Sequence, residues 1–99
     1  MIKITVRVYA TLIGELGWRV KTVTLNDEAT VRDALETVGL SKIVLEAGKV
    51  RPMYKVLVNG RDVEFTGGLR TTLKDGDTID VFPPVAGGYP RQIVPQKAM

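Results

Sequence analysis

The residues best suited to chemistry lie near the end of the sequence, in a segment from Pro83 to Gly88 that we call the arm. Its two prolines remove backbone donors and fix φ, so a preceding strand cannot continue in a sheet. Its terminal glycines have no Cβ, and such a thin chain can enter a narrow channel and present a backbone carbonyl there. A loop or linker is the alternative interpretation of a glycine pair. The arm consists of Pro83, Pro84, Val85, Ala86, Gly87 and Gly88.

The composition excludes several kinds of catalytic site. The sequence contains no cysteine and no histidine, which rules out disulfides, thiolate nucleophiles and Cys/His zinc sites. Imidazole acid–base catalysis and Ser-His-Asp triads are excluded for the same reason. Any reaction must therefore use carboxylates, lysines, hydroxyls or the main-chain end itself, and no metal site is expected.

Length and charge favour one ordinary globular domain. The chain has 99 residues, of which 44% are hydrophobic and 25% charged, as in soluble proteins. The formal charge is only +3, and the basic residues alternate with acidic ones instead of clustering with aromatics as in nucleic-acid binders. No apolar run approaches the roughly 20 residues of a membrane helix, and the N-terminus lacks a signal-peptide layout. These features predict a cytoplasmic protein without a nucleic-acid or membrane partner.

Hydrophobic periodicity predicts a hairpin in the first quarter of the chain. Residues 3–9 alternate between polar and apolar types, which indicates a strand with one buried face. A loop marked by Gly14 and Gly17 follows, under which Leu12 and Leu16 could pack. A second β-type run covers residues 19–25, and two consecutive strands joined in this way indicate a hairpin.

A helix is predicted next. Thr30 is a suitable N-cap, and Asp33 three residues later completes a capping box and complements the helix dipole. Apolar residues then recur at helical spacing, and Gly39 is suited to end the helix. A short second helical turn is expected from Ser41 to Ala47. The apolar stripe consists of Val31, Ala34, Leu35 and Val38.

The second half of the sequence predicts further strands. Residues 53–58 are rich in β-formers, and the Asn59-Gly60 pair favours a type I′ hairpin turn. Val63 and Phe65 are expected in the return strand. The second glycine pair, Gly67-Gly68, has no proline before it, so a plain loop explains it.

The segment Asp75-Gly76-Asp77 predicts a turn into the last strand, Thr78 to Phe82. The two carboxylates are more economically explained as turn residues than as a cation site. In the last strand Ile79 and Val81 face one way and Asp80 and Phe82 the other. The predicted order of strand, strand, helix and three strands indicates an α+β roll in which a mixed sheet wraps one helix.

The residues from Leu73 to Gly88 resemble the C-terminal signature of the small subunit of molybdopterin synthase. That protein belongs to the ubiquitin-like sulfur carriers. Tyr9-Ala10 followed by Leu12 also resembles the aromatic-Ala pair that opens the loop after the first strand in the molybdopterin carriers. The resemblance implies a ubiquitin-like β-grasp roll, a mixed sheet of about four to five strands packed on one main helix. It also implies that the first and last strands are adjacent and parallel at the centre of the sheet.

The resemblance implies a chemistry for the arm. An E1-like adenylating enzyme would use ATP to activate the terminal carboxylate of Gly88, and sulfur would then displace AMP to give a thiocarboxylate. The large subunit of molybdopterin synthase would accept that sulfur, and the chain itself would bind no cofactor. The rest of the arm and Phe82 would contact the partner. The alternative for Phe82 is a core or edge-strand aromatic.

Residues 89–99 follow the glycine pair that normally ends such carriers. In the full chain Gly88 is in an amide bond to Tyr89 and cannot be adenylated. We therefore expect a β-grasp domain over residues 1–88 and a tail over residues 89–99 that a processing protease removes. Pro90 favours an extended Tyr89, as a protease substrate requires. A non-native extension and a regulatory tail are the alternatives.

Two other functions stay open at the level of sequence. One is a sulfur carrier for another pathway or a protein modifier conjugated through Gly88. The other is a β-grasp interaction module with no carrier role. An autonomous hydrolase or transferase is poorly supported, because the scattered acids offer no convergent site.

Overall fold

The computed structural model describes residues 1–84, and residues 85–99 lie outside the described part. Seven strands and three α-helices occur in these residues, with two 3₁₀ helices at Val63–Phe65 and Gly68–Arg70. The helices are α1 (Thr11–Leu16), α2 (Val31–Thr37) and α3 (Ser41–Val44). The strands are β1 (Ile2–Val8), β2 (Val20–Leu25), β3 (Leu45–Glu46), β4 (Lys49–Val50), β5 (Lys55–Val58), β6 (Arg61–Asp62) and β7 (Thr78–Phe82).

Five strands form one mixed sheet in the order β2-β1-β7-β5-β6. β1 and β7 are parallel, with Thr5 opposite Thr78 and Val8 opposite Val81. β2 pairs with β1 and β5 with β7 in the antiparallel sense. The predicted α+β β-grasp roll with a central parallel pair is therefore confirmed, and the strand that leads into the arm has a neighbour on each side.

The core lies between this sheet and α2. Alternate residues of β1 point into it, and Ile4 and Val6 are fully buried. Ile79 and Val81 of β7 are equally buried, as the alternation predicted. The helix contributes the predicted apolar stripe, whose four residues are all buried in the core: Val31, Ala34, Leu35 and the C-cap residue Val38. Burying a side chain of this size contributes about 1.5–3 kcal/mol each, so the alternation fixes which face of β7 remains outside.

α2 begins as predicted. The Thr30 hydroxyl accepts a hydrogen bond from the Asp33 backbone N–H, and the Asp33 carboxylate accepts one from the Thr30 N–H. This reciprocal pair satisfies two of the free donors at the start of the helix. Gly39 directly follows the C-cap residue Val38 and has a φ of +84°, as a residue ending a helix requires.

Two expectations for the connecting segments are wrong. The segment around Gly14 is helix α1, because Leu12 is buried and Leu16 packs against the core. The predicted turn from Ser41 to Ala47 ends at Val44, where β3 and β4 form a small hairpin instead. Both Ala47 and Gly48 have positive φ, which gives this hairpin a tight two-residue turn.

The return strand after Asn59-Gly60 is also shorter than expected. Asn59 and Gly60 both have positive φ, in agreement with the predicted type I′ turn, and place Arg61 directly opposite Val58. The strand then stops, because the Asp62 carboxylate accepts the Glu64 backbone N–H and begins a 3₁₀ helix. Val63 and Phe65 both belong to that helix and not to a strand; Val63 is a core residue, and Phe65 is exposed.

The Gly67-Gly68 pair offers a matched test of backbone strain. Gly67 has a φ of +141°, and a Cβ there would lie 2.8 Å from Oγ1 of Thr71, which itself donates to the Gly68 carbonyl. Gly68 has a φ of +71° and open space around it. We expect Gly67→Ala to lower the free energy of unfolding by about 2–3 kcal/mol, and Gly68→Ala by about 1 kcal/mol. Urea denaturation of the two variants checks this, and equal losses would contradict it.

Candidate functional site

The root of the arm lies at the end of the central strand. Phe82 is the last residue of β7, and it faces away from α2, opposite Lys55 of β5. Pro83 is buried and Pro84 is exposed. Phe82 thus lies neither in the core nor on an edge strand. The remaining predicted site residues lie outside the described residues: Val85, Ala86, Gly87 and Gly88.

An aromatic pair braces this root. The rings of Tyr9 and Phe82 are stacked, with 4.3 Å between their centroids and 9° between their planes. A pair of this kind stabilises by about 0.5–1.5 kcal/mol beyond the area it buries. Tyr9 directly follows β1, and the chain turns sharply at Ala10, which has a φ of +55°. The stack therefore ties the end of β7 to the end of β1, directly before the prolines.

A buried carboxylate stands two residues before Phe82 on the same face. Asp80 accepts hydrogen bonds from Nε of Arg7 at 2.6 Å and from the Tyr9 hydroxyl at 2.8 Å, both at Oδ1. Nη2 of Arg7 donates to the other oxygen at 3.1 Å. The Asp80 side chain is only 10% exposed, whereas that of Arg7 is 47% exposed. Arg7 and Asp80 are paired in the register of the parallel strands, so this cluster locks that register.

The contacts within this cluster shift the pKa values of its three members. Burial by itself would raise the pKa of the Asp80 carboxyl, but the hydrogen bonds from Arg7 and Tyr9 and the Arg7 charge hold that pKa below its ordinary value. The hydrogen bond to Asp80, together with its charge, raises the pKa of the Arg7 guanidinium. Burial, and then the bond to Asp80, raise the pKa of the Tyr9 hydroxyl. At neutral pH the three groups form a charged, hydrogen-bonded structural unit with no general base ready to act.

This unit predicts a pH dependence. A lowered pKa in the folded state adds stability above the unfolded carboxyl value of about 3.9, and this stability is lost as the pH falls below it. We expect Asp80→Asn to lower the free energy of unfolding at neutral pH by about 1–3 kcal/mol. Below pH 4 the difference between wild type and variant should shrink. Urea unfolding across this range measures it, and a constant difference would contradict the prediction.

The face of the sheet turned away from α2 carries the arm root, and we call it the open face. It consists of the outward residues of the five strands together with the Tyr9–Phe82 stack. Lys55 lies opposite Phe82 and the half-buried Leu57 lies opposite Asp80, and the Lys55 ammonium lies 3.3 Å from the Asp62 carboxylate. The open face thus combines an aromatic pair with charged side chains, and aromatic residues are enriched in protein-binding surfaces.

The Asp75-Gly76-Asp77 turn is structural, as predicted. Asp75 accepts the Lys3 backbone N–H at 2.8 Å, and Asp77 accepts both the Lys74 N–H and the Asn59 side-chain amide at 2.8 Å. These bonds hold β7 in place beside β1 and the β5–β6 turn. Within residues 1–84 no group of three or more acidic, Cys or His side chains is arranged to hold a metal. No helix among these residues has the length and apolar character needed to span a membrane.

The sequence interpretation missed the role of Asp80, Arg7 and Tyr9. The alternation placed Arg7 and Tyr9 on one face of β1, and Asp80 and Phe82 on one face of β7. The parallel pairing of these strands, once assumed, puts all four side chains on the open face. The signal was therefore present, but it required two separate inferences to be combined.

Comparison with known proteins gives a consistent family. The ThiS family matches residues 6–88, so the match ends at the last glycine of the arm. Small archaeal modifier protein 3 of Haloferax volcanii is 46% identical over 76 residues, 72% of this chain and 77% of that protein. A putative sulfur carrier protein of Archaeoglobus fulgidus is 33% identical over 75 residues, which cover 76% of this chain and 85% of that protein.

Solved structures agree with this family. The solution structure of the Haloferax volcanii HVO 2177 protein has a TM-score of 0.75 at 39% identity, covering 88% of this chain and 87% of that one. A chain of the Amycolatopsis orientalis BexX/CysO complex has a TM-score of 0.71 at 34% identity, and the match covers 86% of this chain and 99% of that one. Putative molybdopterin converting factor subunit 1 of Pyrococcus furiosus has a TM-score of 0.68 at 27% identity, and the match covers 86% of this chain and 100% of that one.

Proposed function

Since this chain belongs to the ThiS family of ubiquitin-like sulfur carriers and modifiers, we propose that it carries sulfur on the carboxyl group of Gly88. The observation that carries the proposal is the position of that glycine. The family match ends there, and the central strand of the fold leads directly into the arm that contains it. In this proposal the fold that the structure describes over residues 1–84 holds one reactive chain end.

The chemistry requires an activating partner that uses ATP. A Gly88 carboxylate oxygen attacks the α-phosphorus of ATP, and pyrophosphate leaves to give an acyl-adenylate. Hydrosulfide from the sulfur donor then attacks the acyl carbon, AMP leaves, and loss of the proton on sulfur gives the thiocarboxylate. This chain contributes the acyl group and its placement. The lack of histidine and cysteine does not affect that role.

The arm and the open face contact the partner in different ways: the arm enters a channel, and the open face binds the partner's surface. Pro83, already buried at the root, and Pro84 restrict the exit, which lowers the entropy lost when the arm enters a channel. The two glycines beyond them, Gly87 and Gly88, have no Cβ and let the channel close around the backbone. Phe82, held by Tyr9 on the open face, is the contact with the partner. Neither nucleic acid nor membrane is needed.

Residues 89–99 must be removed before Gly88 can react, because an amide is not adenylated. A protease that cuts after Gly88 supplies the free carboxylate. The full chain is incubated in extract of the source cells and its intact mass is measured over time. We expect a single product that ends at Gly88. An unprocessed chain, or a product with a different end, contradicts this step.

The pathway that we favour is molybdopterin synthesis, with the large subunit of molybdopterin synthase as the sulfur acceptor. The Leu73–Gly88 segment and the likeness to a putative molybdopterin converting factor subunit support it. The likenesses to a small archaeal modifier protein and to a chain of a BexX/CysO complex support a modifier or another sulfur pathway. Pull-down with the processed chain separates molybdopterin synthesis from a modifier role: recovery of the large subunit supports the first, and a ladder of lysine conjugates supports the second.

A further inference from the structure

A second exposed aromatic ring lies away from the arm. Phe65 is the last residue of the 3₁₀ helix Val63–Phe65, and it is 83% exposed. Single exposed apolar residues are common and need no explanation. Phe65 differs because a groove that could receive such a ring lies directly beside it.

The groove lies between β4 and the two 3₁₀ helices and has a volume of about 220 Å³. Val50, Val63 and Leu69 supply its apolar side chains, and Gly48 and Gly68 keep it open. A cavity of about 150 Å³ is enough for benzene, so a phenyl ring fits here. Phe65 comes two residues after Val63 but leaves most of its ring in solvent, so the groove is free for another occupant.

Opposite charges lie on the rim of the same groove. Lys49 and Glu64 both line it and both are exposed. Within residues 1–84 neither side chain belongs to an ion pair. This surface carries an aromatic ring (Phe65), a groove that fits a ring, and one charge of each sign (Lys49 and Glu64). It is therefore complementary to a second copy of itself. In a two-fold arrangement each feature meets its counterpart on the other copy.

We propose that this surface binds a second copy of the chain about a two-fold axis. Phe65 of each copy enters the groove of the other, and Lys49 of each copy faces Glu64 of the other. The contact is small, so the dimer belongs to the weak, transient class. Its residues share no member with the open face, so two copies joined in this way leave both arms accessible. The inference does not depend on the proposed sulfur chemistry.

Sedimentation velocity of the full chain over a wide concentration range tests the proposal. We expect a reversible monomer–dimer equilibrium, and Phe65→Ala should weaken it by about tenfold or more, as expected for a buried anchor residue. A chain that stays monomeric at every concentration overturns the proposal. Association that is unchanged by Phe65→Ala also overturns it.

Charge reversal gives a sharper test, because both positions are exposed and the variants should fold. Lys49→Glu and Glu64→Lys should each weaken self-association, since each homodimer then places like charges in contact. An equimolar mixture of the two variants should form heterodimers, because both contacts in that pair are between opposite charges. Failure of the mixture to associate better than either variant alone overturns the two-fold geometry.

Discussion

A chain that ends at Gly88 should gain sulfur when it is incubated with its activating enzyme, ATP and a sulfur donor, and its Gly88→Val variant should not. Valine at the last position adds a branched side chain beside the reacting carbonyl, in a channel that we infer to close around the backbone. Misplacement of a reacting group by about 1 Å can reduce a rate by about a hundredfold. We therefore expect at least that loss for the variant.

Intact mass spectrometry measures this result, since replacement of a carboxyl oxygen by sulfur changes the mass of the chain. Gly14→Val is a matched control, because Gly14 belongs to α1 and not to the arm, and a Cβ at that position meets nothing within 4 Å. The control should load as the parent does. Undiminished loading of Gly88→Val would remove the basis of the proposed function.

Loss of the Phe82 ring should weaken binding to the acceptor protein by about tenfold to thirtyfold, or about 1.4–2 kcal/mol. The ring is braced by Tyr9 on the open face, so little entropy is lost when a partner covers it. The measurement is the dissociation constant of the processed Phe82→Ala variant with the large subunit of molybdopterin synthase, determined by calorimetry.

The chain provides its own control for this experiment. Phe65 is the other phenylalanine of the sequence, and it lies at the end of a 3₁₀ helix outside the open face. Phe65→Ala should leave binding to the acceptor unchanged. Urea unfolding of both variants separates a lost contact from lost stability, because Phe82→Ala also removes the stack with Tyr9. Equal losses of affinity in the two variants would refute a docking role for Phe82.

Segments with a clear local signal could be predicted from the sequence. The capping residues Thr30 and Asp33 and the apolar stripe after them define α2, and Asn59-Gly60 defines the hairpin turn. These features depend on neighbouring residues only. The central parallel pairing of β1 and β7 is different, because it joins residues more than 70 positions apart, and only the family resemblance supplied it.

The segments that were wrongly predicted lack such signals. α1 begins after Ala10, which has no side-chain oxygen to cap a helix, and it contains Gly14. β3 and β4 have two residues each, too few to show any alternation. The Asp80 cluster needed the three-dimensional register of two strands, because nothing near Asp80 in the sequence indicates that Arg7 and Tyr9 would contact it.

The parallel arrangement of β1 and β7 has a mechanical consequence. The N-terminus enters at one end of this pair, and the chain leaves towards the arm at the opposite end. A pull applied between the two ends of the domain therefore loads the hydrogen bonds between β1 and β7 in shear, all at once, instead of opening them one by one. Traction on the chain beyond β7 must therefore break this row of hydrogen bonds together at the first step of unfolding.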